Sequence, residues 1–366
     1  MTRTILILTS KTGGGHISLA EALRDCLQDA DTTIEMLDPQ SSFFHWHYRL
    51  LSRYALWLWS TEFQFLNTPQ RSHFTHRIFA RLVAKKLGAA IQRLQPDLII
   101  TTYPYLTYEV VQWLKQQKMN IPFTMLFTDP KDVHASWLTE KRADATLAPT
   151  NETYEQAISA GFEVKRLHQV GWPVRMQFVN TDTSQRDETL QGLNLDPAKF
   201  TIFLQGGGEG AARFGRTVER LLSIDPTIQI ILATGTNYSL QEQFKHVSNI
   251  YPLSFTKDIA RYMAAADVIM GKAGPNMLFE AVTLGKPFIA TTYIPGQEKA
   301  NLAFIRQHRL GWVALTIDEQ ITLLQKLVSQ REILHEMEDA VAKYQQYNTN
   351  QTALIVPILE QLLQPR

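Results

Sequence analysis

The chain has 366 residues, 45% hydrophobic and 19% charged, which is long enough for two domains with separate cores and needs no disordered tract. Its formal net charge of +1 argues against a general nucleic-acid binder, whose balance is strongly basic. The single cysteine, Cys26, excludes an internal disulfide and any cysteine-built zinc site, and fits a reducing compartment.

Residues 4–8 form a short apolar run that reads as a buried strand, after which Ile17, Ala20, Leu23 and Leu27 recur at helical spacing. That run is too short for a signal-peptide core, and no eighteen apolar residues follow one another anywhere, so a cytoplasmic chain without a spanning helix is expected. Between strand and helix stand Thr12, Gly13, Gly14, Gly15 and His16. Glycines at a helix N-terminus let an anion approach its unsatisfied amides. As a dinucleotide fingerprint the match is partial, because Ser18 occupies the place of the third glycine, although Asp38 after the strand-like run 33–37 imitates a ribose acceptor. The phosphate-loop pattern Gly-x-x-x-x-Gly-Lys-Ser/Thr is absent from the sequence. His16 is either a general base facing a ligand above the strand ends or a capping, solvated imidazole. Asp29-Ala30-Asp31 is the only Asp-x-Asp and reads as a solvated turn.

Residues 41–95 gather Phe43, Phe44, Trp46, Trp57, Trp59, Phe63 and Phe65 with Arg49, Arg53, Arg71, Arg77, Arg81, Lys85 and Lys86, and Glu62 is the only acid among them. Two readings stand: an interfacial segment whose rings enter a headgroup zone while its cations meet anionic lipid, or an amphipathic helical pair packed on its own domain. Strand-like runs follow at 97–101 and 123–127 with helical segments between, which is the order of a βαβ fold. Asp129 then precedes Pro130, as a strand-end turn or as an acid of the site.

After Val174 the periodicity fades, and the polar stretch 179–198 is expected as a linker between residues 1–178 and 199–345. The pattern restarts at 200–204, followed by Gly206, Gly207, Gly208, Glu209 and Gly210, and continues through 229–233 and 267–270. Gly271, Lys272, Ala273 and Gly274 lead into a helix that begins with Pro275, a residue suited to the first helical position. This turn offers amides, a helix dipole and a point charge to a diphosphate without a metal ion. Glu280 lies one to two turns into that helix, as a ribose ligand or on a solvated face. Residues 346–366 are expected to close the chain with a helix packing back toward the N-terminal domain.

These blocks, in this order, resemble the diacylglycerol glycosyltransferases, the group of monogalactosyldiacylglycerol and bacterial glucosyldiacylglycerol synthases, which are similar to the peptidoglycan lipid-intermediate N-acetylglucosaminyltransferases. The resemblance spans nearly the whole chain. It rests on Thr12 to His16, Thr128-Asp129 with His134 and Trp137, Gly171-Trp172-Pro173-Val174-Arg175, Gly206 to Gly208, Gly271 to Glu280, and Pro295-Gly296-Gln297-Glu298 with Asn301.

The resemblance implies an α/β GT-B fold, two Rossmann-like domains with parallel sheets facing across a cleft. It implies inverting transfer of a hexose, galactose or glucose, from a UDP-sugar to diacylglycerol, with UDP-sugar as donor substrate, no cofactor and no metal. His16 would be the general base, and Asp129 would orient His16 or the acceptor. Gly14, Gly15, Gly206, Gly207, Gly208, Gly271, Lys272, Gly274, Pro275 and Asn276 would surround the diphosphate, with Glu280 on ribose. Phe255 would touch uracil chiefly through its backbone, and Gln297 and Glu298 would read the sugar hydroxyls. His134, Trp137, Phe43, Phe44, Trp46, Trp57, Trp59, Arg49 and Arg53 would face the acceptor and an anionic membrane, peripherally on its inner face. The family usually shows two adjacent glycines with Ser or Thr near the start of the diphosphate helix. Here Ala273, Gly274, Pro275, Asn276 and Met277 stand there, which alters side-chain contacts and leaves the backbone role. The rival expectations are transfer to another lipid-linked or small acceptor and, in a different class, an NAD- or nucleotide-binding Rossmann protein using the first turn alone.

Overall fold

The structure, a computed structural model, describes residues 3–12, 14–206, 214–225 and 227–364, with only the backbone of residues 52, 53, 214–216, 223 and 224. Contacts divide the chain into two units: the first takes in Met1–Met176, Ile294–Ala300 and Tyr347–Arg366, the second Gln177–Tyr293 and Asn301–Gln346.

The first unit runs β1 (Arg3–Leu8), α1 (Gly15–Leu27), β2 (Thr32–Leu37), α2 (Ser42–Tyr54), α3 (Leu56–Leu66), α4 (Pro69–Leu94), β3 (Leu98–Thr101), α5 (Thr107–Gln117), β4 (Phe123–Leu126), α6 (Ala135–Leu138), β5 (Ala145–Ala148), α7 (Asn151–Ser159) and β6 (Leu167–Gln169). Its six strands are parallel in the order β2-β1-β3-β4-β5-β6. Residues 5–8 of β1, and β3, β4 and β5, read as unbroken apolar or small runs because a parallel sheet is covered on both faces. The chain leaves β1 toward β2 and later returns to β3 on the other side, so the loops after β1 and β3 part at the strands' carboxyl ends.

Residues 41–95, for which one expectation is an amphipathic pair, form three helices. The backbone leaves helical geometry at Ala55 and Thr68, and Pro69 restarts it at the first position of α4. In the closing residues Asn348 fixes the loop at Gly171 and Trp172: its Oδ1 accepts from the Trp172 amide (2.7 Å) and its Nδ2 donates to the Trp172 carbonyl (3.0 Å).

The second unit holds β7 (Thr201–Gln205), β8 (Gln229–Gly235), β9 (Ile250–Ser254), β10 (Val268–Lys272), β11 (Phe288–Thr292) and β12 (Gly311–Val313), parallel in the order β12-β11-β10-β7-β8-β9. Here the loops after β7 and β10 part, the same arrangement at a second crevice. The stretch 179–198 corrects the linker expectation. It carries the helix Arg186–Gly192, buries Thr189, Leu190, Leu193 and Leu195, and ties Arg186 to Asp267 at 3.2 Å. Its polar composition conceals three leucines that supply an inner face. Among the described residues no helix is long and apolar enough to cross a membrane.

Candidate active site

In the first unit the β1–α1 turn places His16 at the crevice. Gly14 is the N-cap without a side-chain cap bond, and a methyl group there would meet nothing within 4 Å, so the turn is open on that side. His16 is half-buried and does not cap. Its Nδ1–H donates to the carbonyl of Thr102, the residue after β3, at 2.7 Å, and its ring meets Tyr103 edge-on at 5.0 Å. A carbonyl can only accept, so the Nδ1 proton is fixed and the lone pair stands on Nε2. Burial lowers the His16 pKa to about 4, against the opposing pulls of the Thr102 carbonyl and the Asp38 charge. The ring is therefore a neutral base at pH 7.

Asp129 follows β4, and burial raises its pKa to about 7 although its carboxylate accepts the His134 amide. The Nδ1 side of His16 is held by the Thr102 carbonyl, while Asp129 was expected to orient His16 or the acceptor. His134 caps α6. Its Nδ1 accepts from the Ser136 amide (3.2 Å) and hydroxyl (2.7 Å), and its Nε2–H donates to the Phe63 carbonyl of α3 (3.1 Å). Burial holds this ring's pKa at about 4, so it is neutral too. Behind it, the fully buried His76 of α4 joins the Ser136 carbonyl (3.0 Å) and the Glu109 carboxyl (2.9 Å). The loop carrying Asp129 is thereby latched to α3, α4 and α5.

Trp137 departs from expectation: it is 1% exposed, packs against Phe127 and belongs to the core, because α6 turns that face inward. Phe44 likewise packs on Phe79 at 4.8 Å, and Trp59 is partly covered by Tyr48 and Phe63. Phe43, Trp46 and Trp57 are exposed, as is Arg49. The side chain of Arg53 lies outside the described residues.

Gln297 and Glu298 belong to the first unit, on a loop that rests against α3: a methyl group on Gly296 would lie 3.3 Å from both Phe63 and Ser60. Glu298 closes this loop by accepting the Ile294 amide at 2.8 Å, whereas the buried Oε1 of Gln297 meets no hydrogen-bond partner among the described residues.

In the second unit β10 delivers Gly271 and Lys272 to the crevice, with a register shift between them. Gly271 is required for packing, since a methyl group there would lie 2.6 Å from the Gln205 carbonyl. The Gly274 amide, expected to face the diphosphate, is committed to the Lys272 carbonyl at 2.6 Å. The helix Pro275–Thr283 begins its internal ladder with the Leu278 amide on Gly274, so its first turn, including Asn276 and Met277, presents the N-terminal amide end. Asn301 pins this turn, donating to the Ala273 carbonyl at 2.8 Å.

Glu280 is 8% exposed, not on a solvated face, and a carboxylate so placed must be held by hydrogen bonds. Gly206 is buried at the end of β7, while Gly207 and Gly208 lie outside the described residues. Phe255 follows β9 with its amide on the Gly235 carbonyl (3.1 Å) and its ring exposed. Thr102, Ser136 and the His76–Glu109 pair escape sequence reading. Only the position of Thr102 at a strand end marks it beforehand.

The family described as Monogalactosyldiacylglycerol (MGDG) synthase matches residues 16–174, and the Glycosyltransferase family 28 C-terminal domain matches residues 201–356. A probable monogalactosyldiacylglycerol synthase 2, chloroplastic, of Oryza sativa subsp. japonica is 29% identical over 84% of this chain and 70% of its own length. Among solved structures, MurG of Acinetobacter baumannii superposes with a TM-score of 0.63 at 15% identity over 98% of this chain and 99% of its own. LpCGTa in complex with UDP gives 0.67 at 14% over all of both chains. At these identities the structural likeness gives the fold, which is GT-B with two Rossmann-like domains.

Proposed function

We propose that this chain, which belongs to the diacylglycerol glycosyltransferase family and is a glycolipid glycosyltransferase, moves a hexose from a UDP-sugar to diacylglycerol with inversion at the anomeric carbon and without a metal ion. The observation that carries this reading is the imidazole of His16, neutral and oriented by Thr102 so that Nε2 is the free base. An alcohol is a weak nucleophile at pH 7. As its oxygen attacks the anomeric carbon, the bond from that carbon to UDP breaks, the glycosidic bond forms and the hydroxyl proton passes to Nε2.

The negative charge appears on UDP, which the second unit holds through the amide end of the helix Pro275–Thr283 and the charge of Lys272, with Glu280 on ribose. General base and charge stabilisation each contribute on the order of 10²-fold or more. Gln297 and Glu298 read the sugar. Phe43, Trp46, Trp57 and Arg49 meet the membrane, peripherally on its cytoplasmic face.

The test is incubation of the full chain with UDP-glucose, UDP-galactose and diacylglycerol vesicles, with mass and anomeric analysis of the lipid. A single β-hexosyl diacylglycerol is expected from an α-linked donor. Absence of any hexosylated diacylglycerol, or retention at the anomeric carbon, refutes the reading.

A further inference from the structure

Three residues of the first unit carry buried polar atoms with no hydrogen-bond partner among the described residues. Gln40, 3% exposed, leaves both amide atoms unmet, Tyr105 leaves its hydroxyl and Trp59 its indole N–H. The groups around them are satisfied: Thr102 with His16, His134 with Ser136 and Phe63, His76 with Glu109. Buried polar groups in a folded chain are normally paired, and each exception calls for a partner the fold does not supply.

A chain of ring contacts links these residues to His16. The His16 ring meets Tyr103 at 5.0 Å, and Tyr103 meets Tyr105 at 6.0 Å. Burial pushes the Tyr103 hydroxyl's pKa up and the nearby Gln40 amide opposes it, which places Gln40, in the loop after β2, beside that hydroxyl, although neither amide atom meets hydrogen-bond geometry. Tyr105 packs against Phe79 and lies near Ser136, whose hydroxyl bonds His134. Through His134 and Phe63, rings 4.4 Å apart, the path reaches Trp59 on α3.

Gln40 Nε2, Tyr105 Oη and Trp59 Nε1 donate and outnumber the one unmet pure acceptor, Gln40 Oε1, and aromatic rings lie around Tyr105 and Trp59. Such a lining suits oxygens that accept but do not donate, carried on an apolar body beside the alcohol presented to His16. Ester carbonyls of an acylated glycerol have that chemistry. We propose that Gln40, Tyr105 and Trp59 form a subsite that recognises the acyl ester carbonyls of the lipid acceptor and so selects a diester over a diether glycerolipid. This rests on the reading that the acceptor is diacylglycerol.

The experiment compares 1,2-diacylglycerol with its 1,2-dialkyl counterpart, which lacks both carbonyls, in vesicles with saturating UDP-hexose and the full chain. The wild-type kcat/KM is expected to be roughly five- to tenfold lower for the diether. Gln40→Leu and Tyr105→Phe should lower the diester value by a similar factor and leave the diether value and the donor KM unchanged. Tyr105→Phe should also leave Tm unchanged or raised, since the hydroxyl, though close to Ser136, has no partner in hydrogen-bond geometry. Equal use of both lipids by the wild type, which needs no variant, overturns the subsite. So does an equal loss on both lipids, or a fall in Tm for Tyr105→Phe. Failure to glycosylate either lipid overturns the transferase reading itself, and this inference with it.

Discussion

The chemistry assigned to His16 depends on a proton that the fold keeps off. Its folded pKa of about 4 lies below the ordinary 6.5, so folding favours the neutral ring, and the stability this lends is present above pH 6.5 and lost as pH falls toward 4. An NMR titration of the His16 ring should show a midpoint near 4. A midpoint near 6.5 would mean that water solvates the ring and that it is half protonated close to working pH. His16→Ala should lower turnover by about 10²-fold or more while UDP still raises Tm. Asp129 has the opposite sign. Its folded pKa of about 7 exceeds the ordinary 3.8, so its contribution to stability is complete below 3.8 and lost as pH rises through 7. Asp129→Asn should therefore gain in Tm relative to the wild type on going from pH 5 to pH 8, and a difference independent of pH would show that the carboxyl is solvated. The place of His16 at a turn between strand and helix was legible from position alone. Thr102 was not, because 86 residues separate it from His16 and only the pairing of β1 with β3 brings the two together.

At the scale of elements, apolar periodicity carried most strands and helices, while packing decided what periodicity left open. Polar residues masked the helix Arg186–Gly192, and Trp137, equally suited to an interface or a core, turned inward with α6. Glycines inside helices show why local preference is a poor guide. Alanine is favoured over glycine in a helix by about 1 kcal/mol. At Gly88 of α4, however, a methyl group would lie 2.7 Å from the buried Trp113 ring of α5, and overpacking of this kind costs about 1–3 kcal/mol. Gly88→Ala should lower Tm. At Gly192 a methyl group would meet nothing within 4 Å, so Gly192→Ala should raise Tm slightly. Thermal unfolding of the two variants side by side checks the pair, and a rise in both would mean that α4 and α5 are less closely packed than Gly88 implies.

For the whole molecule, alternation of strands and helices was enough to anticipate two parallel sheets, and the closing segment docks on the first unit as expected of residues 346–366, but the membership of residues 294–300 in that unit was not legible, since nothing local in a sequence marks where such a loop docks. The same limit applies to the surface of residues 41–95. Composition left membrane and core readings open, and the fold separates the buried rings from the exposed ones: Phe44 turns to the core, while Trp57 is 73% exposed and Phe43 and Trp46 are more than half exposed. With a net charge of only +1, long-range attraction to an anionic surface is weak, so the membrane contact proposed for this segment rests on these rings together with the exposed Arg49, Arg77, Arg81 and Lys85 nearby in the chain. Screening at 0.1 M salt acts over about 10 Å. Raising salt should therefore weaken co-sedimentation with anionic vesicles without abolishing it, because ring insertion is insensitive to salt. The double variant Trp46→Ala and Trp57→Ala should lose most of the remaining binding at high salt, while UDP still raises its Tm as in the wild type, since the donor is assigned to the second unit. Unchanged co-sedimentation of that variant would remove the membrane from the account of α2 and α3.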